Sequence, residues 1–131
     1  MKRETDVIDS PELTLTLPKG LVGLPEERGF ALRTDAGSGL MELCSTRPGG
    51  LDFYAAQIDR IRPGLRELLV SQGHVGANDL VLVLLAVHGE PPVLTANLAG
   101  PIVIDPNERV GRQIVLEGDE FPLRAPLSIA D

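Results

Sequence analysis

Residues 30–58 read FALRTDAGSGLMELCSTRPGGLDFYAAQI, three largely apolar segments separated by two glycine-containing turns. Glycine adopts positive φ at little cost, so DAGSG and RPGG are typical of turns that join neighbouring antiparallel strands. Parallel strands need a much longer crossover connection than either turn provides. The stretch therefore predicts an antiparallel meander of three strands, at Phe30–Thr34, Leu40–Ser45 and Leu51–Ile58.

Strand patterns continue on both sides of this meander. Leu13–Leu17 alternates leucine with threonine, which is the pattern of a half-buried strand. Leu80–Val87 is apolar at every position, which predicts a central strand that is buried on both faces or crosses between two parts of the core. Further strands are predicted at 93–98, 102–104 and 113–116.

Composition supports the same fold class. The 14 glycines and 11 prolines are spread along the chain and exclude long helices, while 43% hydrophobic residues argue against a disordered chain. A length of 131 residues is typical of one domain. We predict a mostly β protein: a small antiparallel β-barrel-like single domain with at most one short helix, covering residues 13–127 after a flexible N-terminal tail at 1–12.

Residues 59–76 fit two interpretations. Pro63 at a first helical position, leucines at helical spacing and Gly73 as a stop predict one short helix of about ten residues. The same leucines are also compatible with an irregular strand. The pattern leaves both open.

Charge and cysteine content bear on partners and compartment. Acidic residues outnumber basic ones by 19 to 12, so direct binding to a nucleic-acid backbone is unfavourable, and a basic protein partner or simple solubility is favoured. A single cysteine, Cys44, forms no internal disulfide and suits a reducing cytoplasm. The longest apolar run, 80–87, is far shorter than the roughly 20 residues that span a bilayer. We expect a soluble, cytoplasmic protein without membrane contact.

Candidate catalytic groups are few. His74 and His88 stand in different segments, and Cys44 lies in a strand pattern, where a small buried side chain is more common than a nucleophile. Ser38 lies in a Gly-Ser-Gly turn without the helix that a nucleophile elbow requires. We therefore expect no enzymatic activity, no metal site and no cofactor.

Charged clusters have two interpretations each. The acidic groups Glu26/Glu27 and Glu117/Asp119/Glu120 are expected to be solvated turns, with docking of a basic partner as the alternative. Three arginines are expected to pair with neighbouring acids or to form a modest basic patch: Arg60, Arg62 and Arg66 beside Asp59 and Glu67.

One contiguous region carries a family resemblance. Residues 94–105, LTANLAGPIVID, and 109–116, RVGRQIVL, closely resemble the signature of the flagellar assembly factor FliW family. That signature runs Thr-Ala-Asn-Leu, Pro-Ile-Val-Ile/Val-Asn, and then basic-x-Gly-basic-Gln before an apolar strand. Weaker similarity covers residues 20–30 and 43–53, and residues 57–78 depart most from the family pattern.

The resemblance implies both a fold and a function. FliW proteins are small, mostly antiparallel β-barrel-like regulators that bind newly made flagellin. When flagellin is scarce they bind CsrA, an RNA-binding translational repressor, and so relieve repression of flagellin synthesis. An acidic chain suits a repressor with a basic RNA-binding surface. We therefore expect flagellin and a CsrA-type repressor as partners.

The signature also suggests which residues make contact. We hypothesise that the segment Thr95–Leu98 and the polar residues Asn107, Arg109 and Arg112 line one end of the barrel, with the acids of 117–120 near it. The residues expected to bind a partner are Thr95, Asn97, Leu98, Asn107, Arg109, Arg112, Glu117, Asp119 and Glu120. A structural role is the alternative for parts of the signature, with Asn97 as a turn residue, Pro101 at the start of an edge strand and Gly111 in a hairpin turn. A small barrel that binds an apolar ligand is the rival function.

Overall fold

A computed structural model of the protein describes residues 12–35 and 37–127. This part of the chain forms nine strands and two short helices. In chain order they are β1 (Leu13–Thr16), β2 (Gly29–Thr34), β3 (Met41–Ser45), β4 (Asp52–Gln57), α1 (Ile58–Ile61), α2 (Leu65–Ser71), β5 (Leu80–His88), β6 (Val93–Ala96), β7 (Ile102–Asp105), β8 (Val110–Gln113) and β9 (Ala125–Pro126). Glu12 precedes β1 and its Oε2 accepts a hydrogen bond from Arg33 Nε at 2.6 Å. The other residues of the predicted tail lie outside the described ranges.

Seven strands close into a barrel in the order β4-β3-β2-β1-β8-β7-β5, with β5 returning to β4. The far half of β5 pairs with β6, which in turn pairs with β9. Every pairing is antiparallel except that of β1 with β8, where the register holds one pair, Thr16 opposite Val110. The predicted meander and β-barrel fold are confirmed.

The nine-residue strand β5 connects the two parts of the sheet. Leu82 points into the barrel, while Val81 and Val83 point to the outer face, and all three are buried. The predicted two-sided burial is therefore confirmed for the first half of β5. Ala86 and Val87, near its end, are exposed.

Apolar side chains form two cores on opposite faces of β5 and β7. The inner core fills the barrel, with Phe30 and Phe53 in edge-to-face contact at 6.3 Å between ring centroids. Its fully buried members are Leu15, Leu17, Leu21, Phe30, Leu32, Met41, Leu43, Ala55, Leu82, Ile102 and Ile104. The outer core lies under the helices and the C-terminal segment, and comprises Ile58, Leu65, Leu69, Val75, Val81, Val83, Ala96, Leu98, Val103, Leu116, Phe121 and Ala125.

Residues 59–76 contain two short helices rather than the single one predicted. Arg62 leaves α1 in an extended conformation, and Gly64 then caps α2 with φ +96°, a value that favours glycine. The helix therefore begins at Leu65 instead of Pro63. Leu65 and Leu69 bury one face of α2 in the outer core, and the alternative of an irregular strand is wrong.

The last predicted strand, 113–116, is wrong in its bounds, because β8 covers Val110–Gln113. After Gln113 the chain diverges from β7 but still bonds to the preceding loop, through Ile114 N–H to Pro101 O and Leu116 N–H to Ala99 O. Ile114 and Leu116 contribute to the outer core, which explains their apolar character without a strand.

Candidate partner-binding surface

The segment after β6 is a turn closed by Asn97. Its Oδ1 accepts hydrogen bonds from the backbone N–H groups of Ala99 and Gly100, both at 3.0 Å. A Cβ at Gly100 would lie 2.8 Å from Gln113 Nε2 and 3.1 Å from Asn97 Nδ2, so a side chain at this position would displace the Gln113 amide from its packing against the turn. The geometry accounts for Asn97 and Gly100 as structural residues of the signature.

Gln113 joins this turn to the loop that follows β1. Its Nε2 donates to Gly100 O at 2.8 Å, and its Oε1 accepts from Val22 N–H at 2.7 Å. The backbone pair between β1 and β8 joins Thr16 to Val110, at the other end of β8, so the Gln113 amide adds a contact farther along the parallel seam of the barrel. Gln113 belongs to the signature found in the sequence, but its bridging role was not predicted. The available sequence signal for that role was a polar residue at the end of a strand.

Two predicted contact residues are buried. Thr95 is 7% exposed, with Oγ1 3.5 Å from Ala86 O, and Leu98 is fully buried in the outer core. Neither side chain is presented to a partner in this conformation.

The turn between β7 and β8 presents two predicted contact residues, Asn107 and Arg109. Asp105 Oδ1 accepts from the N–H groups of Asn107 at 2.9 Å and Glu108 at 3.2 Å, and this fixes the turn. Arg109 has φ +59°, and its carbonyl accepts from Thr16 N–H at 3.0 Å, which anchors the turn to β1. Both side chains are exposed.

Arg112 lies on the exposed side of β8, opposite Val103 of β7. Its Nη2 donates to the backbone carbonyl of His74 at 2.8 Å. Arg112 therefore connects the hairpin to the loop after α2 and still presents an exposed guanidinium.

Residues Glu117, Asp119 and Glu120 form an exposed turn, called here the acidic turn. It stands between two anchors, since Leu116 and Phe121 on either side are buried in the outer core. Gly118 has φ +119° and its carbonyl accepts from Phe121 N–H, so glycine shapes the apex. The solvated interpretation of these acids matches their exposure.

The predicted contact residues do not meet at one end of the barrel. The Leu116 N–H donates to Ala99 O, and the Leu98 N–H donates to Pro122 O, so the segments on both sides of the acidic turn bond to the Asn97 turn. The acidic turn therefore lies beside the Asn97 turn. Asn107 and Arg109 stand at the other end of the β7–β8 hairpin, about 10 Å away along four-residue strands. The seven of these residues that are not buried form two separate surfaces connected by β8.

Glu27, expected to be solvated, is fully buried. Its carboxylate accepts from Ser45 Oγ at 2.7 Å, Arg47 Nη2 at 2.8 Å and Leu51 N–H at 3.0 Å. The Ser45 hydroxyl, followed by Arg47, holds the pKa of Glu27 below its ordinary value, against the opposing effect of burial. Sequence reasoning missed this site because its partners lie 18 to 24 residues away.

The arginines near α1 also bond differently from expectation. Arg66 Nη2 donates to the carbonyls of Ala77 at 2.8 Å and Asp79 at 2.7 Å, and Arg60 Nη2 donates to Ser38 O at 2.8 Å. Backbone carbonyls, and not neighbouring acids, are therefore the partners of these two guanidinium groups.

Chemical groups for catalysis or metal binding remain dispersed. Burial raises the pKa of the half-buried Cys44 thiol, and Asp52 and Glu42 raise it further, so it stays protonated near neutral pH. Within residues 12–35 and 37–127, no three or more His, Cys, Asp or Glu side chains are grouped to hold a metal ion. No helix in the same ranges is long and apolar enough to cross a membrane.

A surface groove of about 570 Å³ lies between residues 18–22 and the β7–β8 hairpin. Its walls mix apolar residues such as Leu21 and Val110 with the charged residues Asp79 and Arg112. The inner core, in contrast, is filled by aliphatic side chains. The arrangement gives little support to the rival interpretation of an apolar ligand inside the barrel.

Comparison with known proteins decides the family. The sequence model described as FliW protein matches residues 2–127. The chain belongs to the FliW family. FliW proteins named as flagellar assembly factors include one from Symbiobacterium thermophilum, 32% identical over 118 residues that cover 84% of this chain and 86% of the relative. Another, from Leptospira biflexa, is 30% identical over 125 residues, covering 89% and 81% of the two chains.

A solved FliW structure shares the fold. The crystal structure of the flagellar assembly factor FliW superposes with a TM-score of 0.68 at 23% sequence identity. The match covers 94% of this chain and 88% of the other. The FliW barrel is therefore retained although most residues differ.

Proposed function

We propose that this protein is a non-enzymatic FliW-type assembly factor of the cytoplasm that binds flagellin and a CsrA-type translational repressor. Flagellin binding occupies the protein while flagellin is abundant. When flagellin is exported, the free protein binds the repressor and relieves repression of flagellin translation. The match of the FliW family model to nearly the whole chain is the observation that carries this proposal.

Surface charge supports the choice of a basic protein as one partner. The chain has a formal charge of −7, and the acidic turn exposes Glu117, Asp119 and Glu120 on anchored backbone. A preformed acidic surface accelerates encounter with a basic surface and costs little ordering. We propose the acidic turn as a contact for the repressor.

The remaining exposed residues of the predicted set form the second proposed contact. Asn107, Arg109 and Arg112 present polar and cationic groups along one side of the β7–β8 hairpin. Because this surface is separate from the acidic turn, it is suited to a different partner or a different part of the same partner. We propose it as a contact for flagellin.

The test uses the purified chain with flagellin and the CsrA-type repressor of the same genome. Titration calorimetry should show binding to each partner, and preloading with flagellin should reduce repressor binding. An unrelated protein of similar negative charge serves as the control for non-specific attraction. Absence of binding to both partners at low salt would contradict the proposal.

Substitutions can then assign the two surfaces. Asn107→Ala/Arg109→Ala should weaken flagellin binding, whereas Arg124→Ala, an exposed arginine outside the predicted set, should leave it unchanged. Full flagellin affinity in the folded double variant would remove the hairpin turn from the proposal. The acidic turn is tested separately, by the variants described in the Discussion.

A further inference from the structure

The outer face of the sheet carries an apolar patch that extends beyond the helices and the C-terminal segment, with Tyr54 and Val87 exposed. Side chains directly opposite each other on paired strands share a face. Tyr54 stands opposite Leu85, and Val87 stands opposite Leu94, so these four residues are adjacent on one face. We call them the outer apolar patch.

This patch continues from the outer core. Val81 and Val83 are buried in that core, and the alternation of β5 brings Leu85 and Val87 to the same face. Leu85 packs at the edge of the core, and beyond it Val87 is 65% exposed. Tyr54 is 54% exposed and is the only tyrosine of the chain. Tyr54 and Val87 therefore form an exposed apolar surface that continues the face of the outer core.

The border of the patch is acidic. Glu42 stands opposite Tyr54 on β3, and Asp52 lies two residues before Tyr54 on the same face of β4. The basic residue of this border is Arg33, opposite Glu42, and its guanidinium is already bonded to Glu12 at 2.6 Å. Its charge is therefore largely offset, and the border attracts a basic surface.

We propose that the outer apolar patch is the docking site of the repressor, a basic protein that presents an apolar side chain between its cationic groups. The inference rests on the proposed function and adds to it the residues that hold the complex together. Tyrosine is enriched among residues that dominate interface energies, and a well-packed apolar contact mainly sets the dissociation rate. The acidic turn acts differently, because exposed charges mainly accelerate encounter.

Paired double variants test this division. Tyr54→Ser/Val87→Ser removes the exposed centre of the patch, and Val22→Ser/Val110→Ser removes two exposed apolar side chains at the groove beside the β7–β8 hairpin. We expect the first variant to raise the repressor Kd at least about tenfold through faster dissociation, and the second to change it less than about twofold. Thermal unfolding and sedimentation of each variant accompany the kinetics.

The outcomes distinguish failure of the proposed function from failure of the docking site. Wild-type protein that fails to bind repressor refutes the repressor-binding part of the proposed function, and the docking site falls with it. Repressor binding that is equal in the two double variants overturns the docking site alone. A wild-type dimer that the Tyr54→Ser/Val87→Ser variant converts to monomer also overturns it, since the patch would then hold a second copy.

Nitration of the wild-type chain gives a test that does not depend on a variant folding. Tetranitromethane nitrates exposed tyrosine, and Tyr54 is the only tyrosine, so incorporation of one nitro group, distinguished by its mass from oxidation of Cys44, reports on the patch. Saturation with repressor should slow nitration at least about fivefold if Tyr54 is buried in a well-packed interface. An unchanged rate in the saturated complex would overturn the docking site.

Discussion

Two acidic segments that look alike in the sequence have opposite roles in the structure. Glu26-Glu27 directly follows Pro25 and Glu117-Gly118-Asp119-Glu120 contains a glycine, yet Glu27 is fully buried and the acidic turn is exposed. The difference comes from long-range partners, because Ser45, Arg47 and the N–H of Leu51 converge on Glu27. The buried carboxylate of Glu27 stabilises the fold, whereas the exposed carboxylates of the acidic turn remain available for a partner.

Removing the buried carboxylate should have the largest effect on stability. Glu27→Ala leaves Arg47, Ser45 and the Leu51 N–H without their acceptor, and a buried donor without a partner is costly. We expect Tm to fall by more than about 5 °C. Glu26→Ala, the exposed neighbour, is the matched control and should leave Tm nearly unchanged. Equal Tm values for the two variants would show that the Glu27 network contributes nothing.

The same carboxylate should make stability depend on pH. Its pKa is lowered in the folded protein, so its contribution is complete above the ordinary value of 4.5 and is lost as the pH falls from there through the lowered value. Glu27→Gln removes this titration. Denaturant unfolding between about pH 6 and pH 3 should show a steeper loss of stability in the wild type than in the variant. Parallel curves would argue against the lowered pKa.

The Asn97 turn should show an intermediate effect. Asn97→Ala removes the acceptor for two backbone N–H groups and should destabilise the protein by about 1–2 kcal/mol in chemical denaturation. Asn107→Ala, at an exposed turn position, should change stability by less than about 0.5 kcal/mol. A reversed order of the two variants would contradict the structural role of the signature asparagine.

The acidic turn should have the smallest effect on stability. Glu117→Gln/Asp119→Asn/Glu120→Gln keeps side-chain size and removes three exposed charges, so stability should change by less than about 0.5 kcal/mol. Urea unfolding measures this directly. A large loss of stability would mean that the turn has a structural role like that of Glu27.

Local patterns predicted most of the barrel. The alternation of β1, the turns around β3 and the apolar run of β5 each reflect contacts along or across one face of a strand, and such contacts leave a periodic signal. The bounds of β8 were missed because Gly111 and Arg112 give no apolar period, whereas Ile114 and Leu116 imitate one while packing on the outer core.

Long-range geometry explains what the sequence does not reveal about the site. The family signature is continuous in sequence, yet its ends diverge in space, since the hairpin carries Asn107 and Arg109 away from the Asn97 turn. Burial of Thr95 and Leu98 depends on the outer core, which is assembled from distant segments. The acidic turn was predicted correctly as exposed because its charges are dense and local.

The most direct test of the proposed role of the exposed acidic turn is its effect on the association rate with the CsrA-type repressor. The acidic-turn variant is compared with Glu26→Gln/Glu67→Gln/Glu90→Gln, which removes three exposed negative charges from other surfaces. At low salt the acidic-turn variant should associate severalfold more slowly than this control, and the difference should shrink at moderate salt as charges are screened. Equal association rates at low salt would contradict the assignment of the acidic turn to the partner.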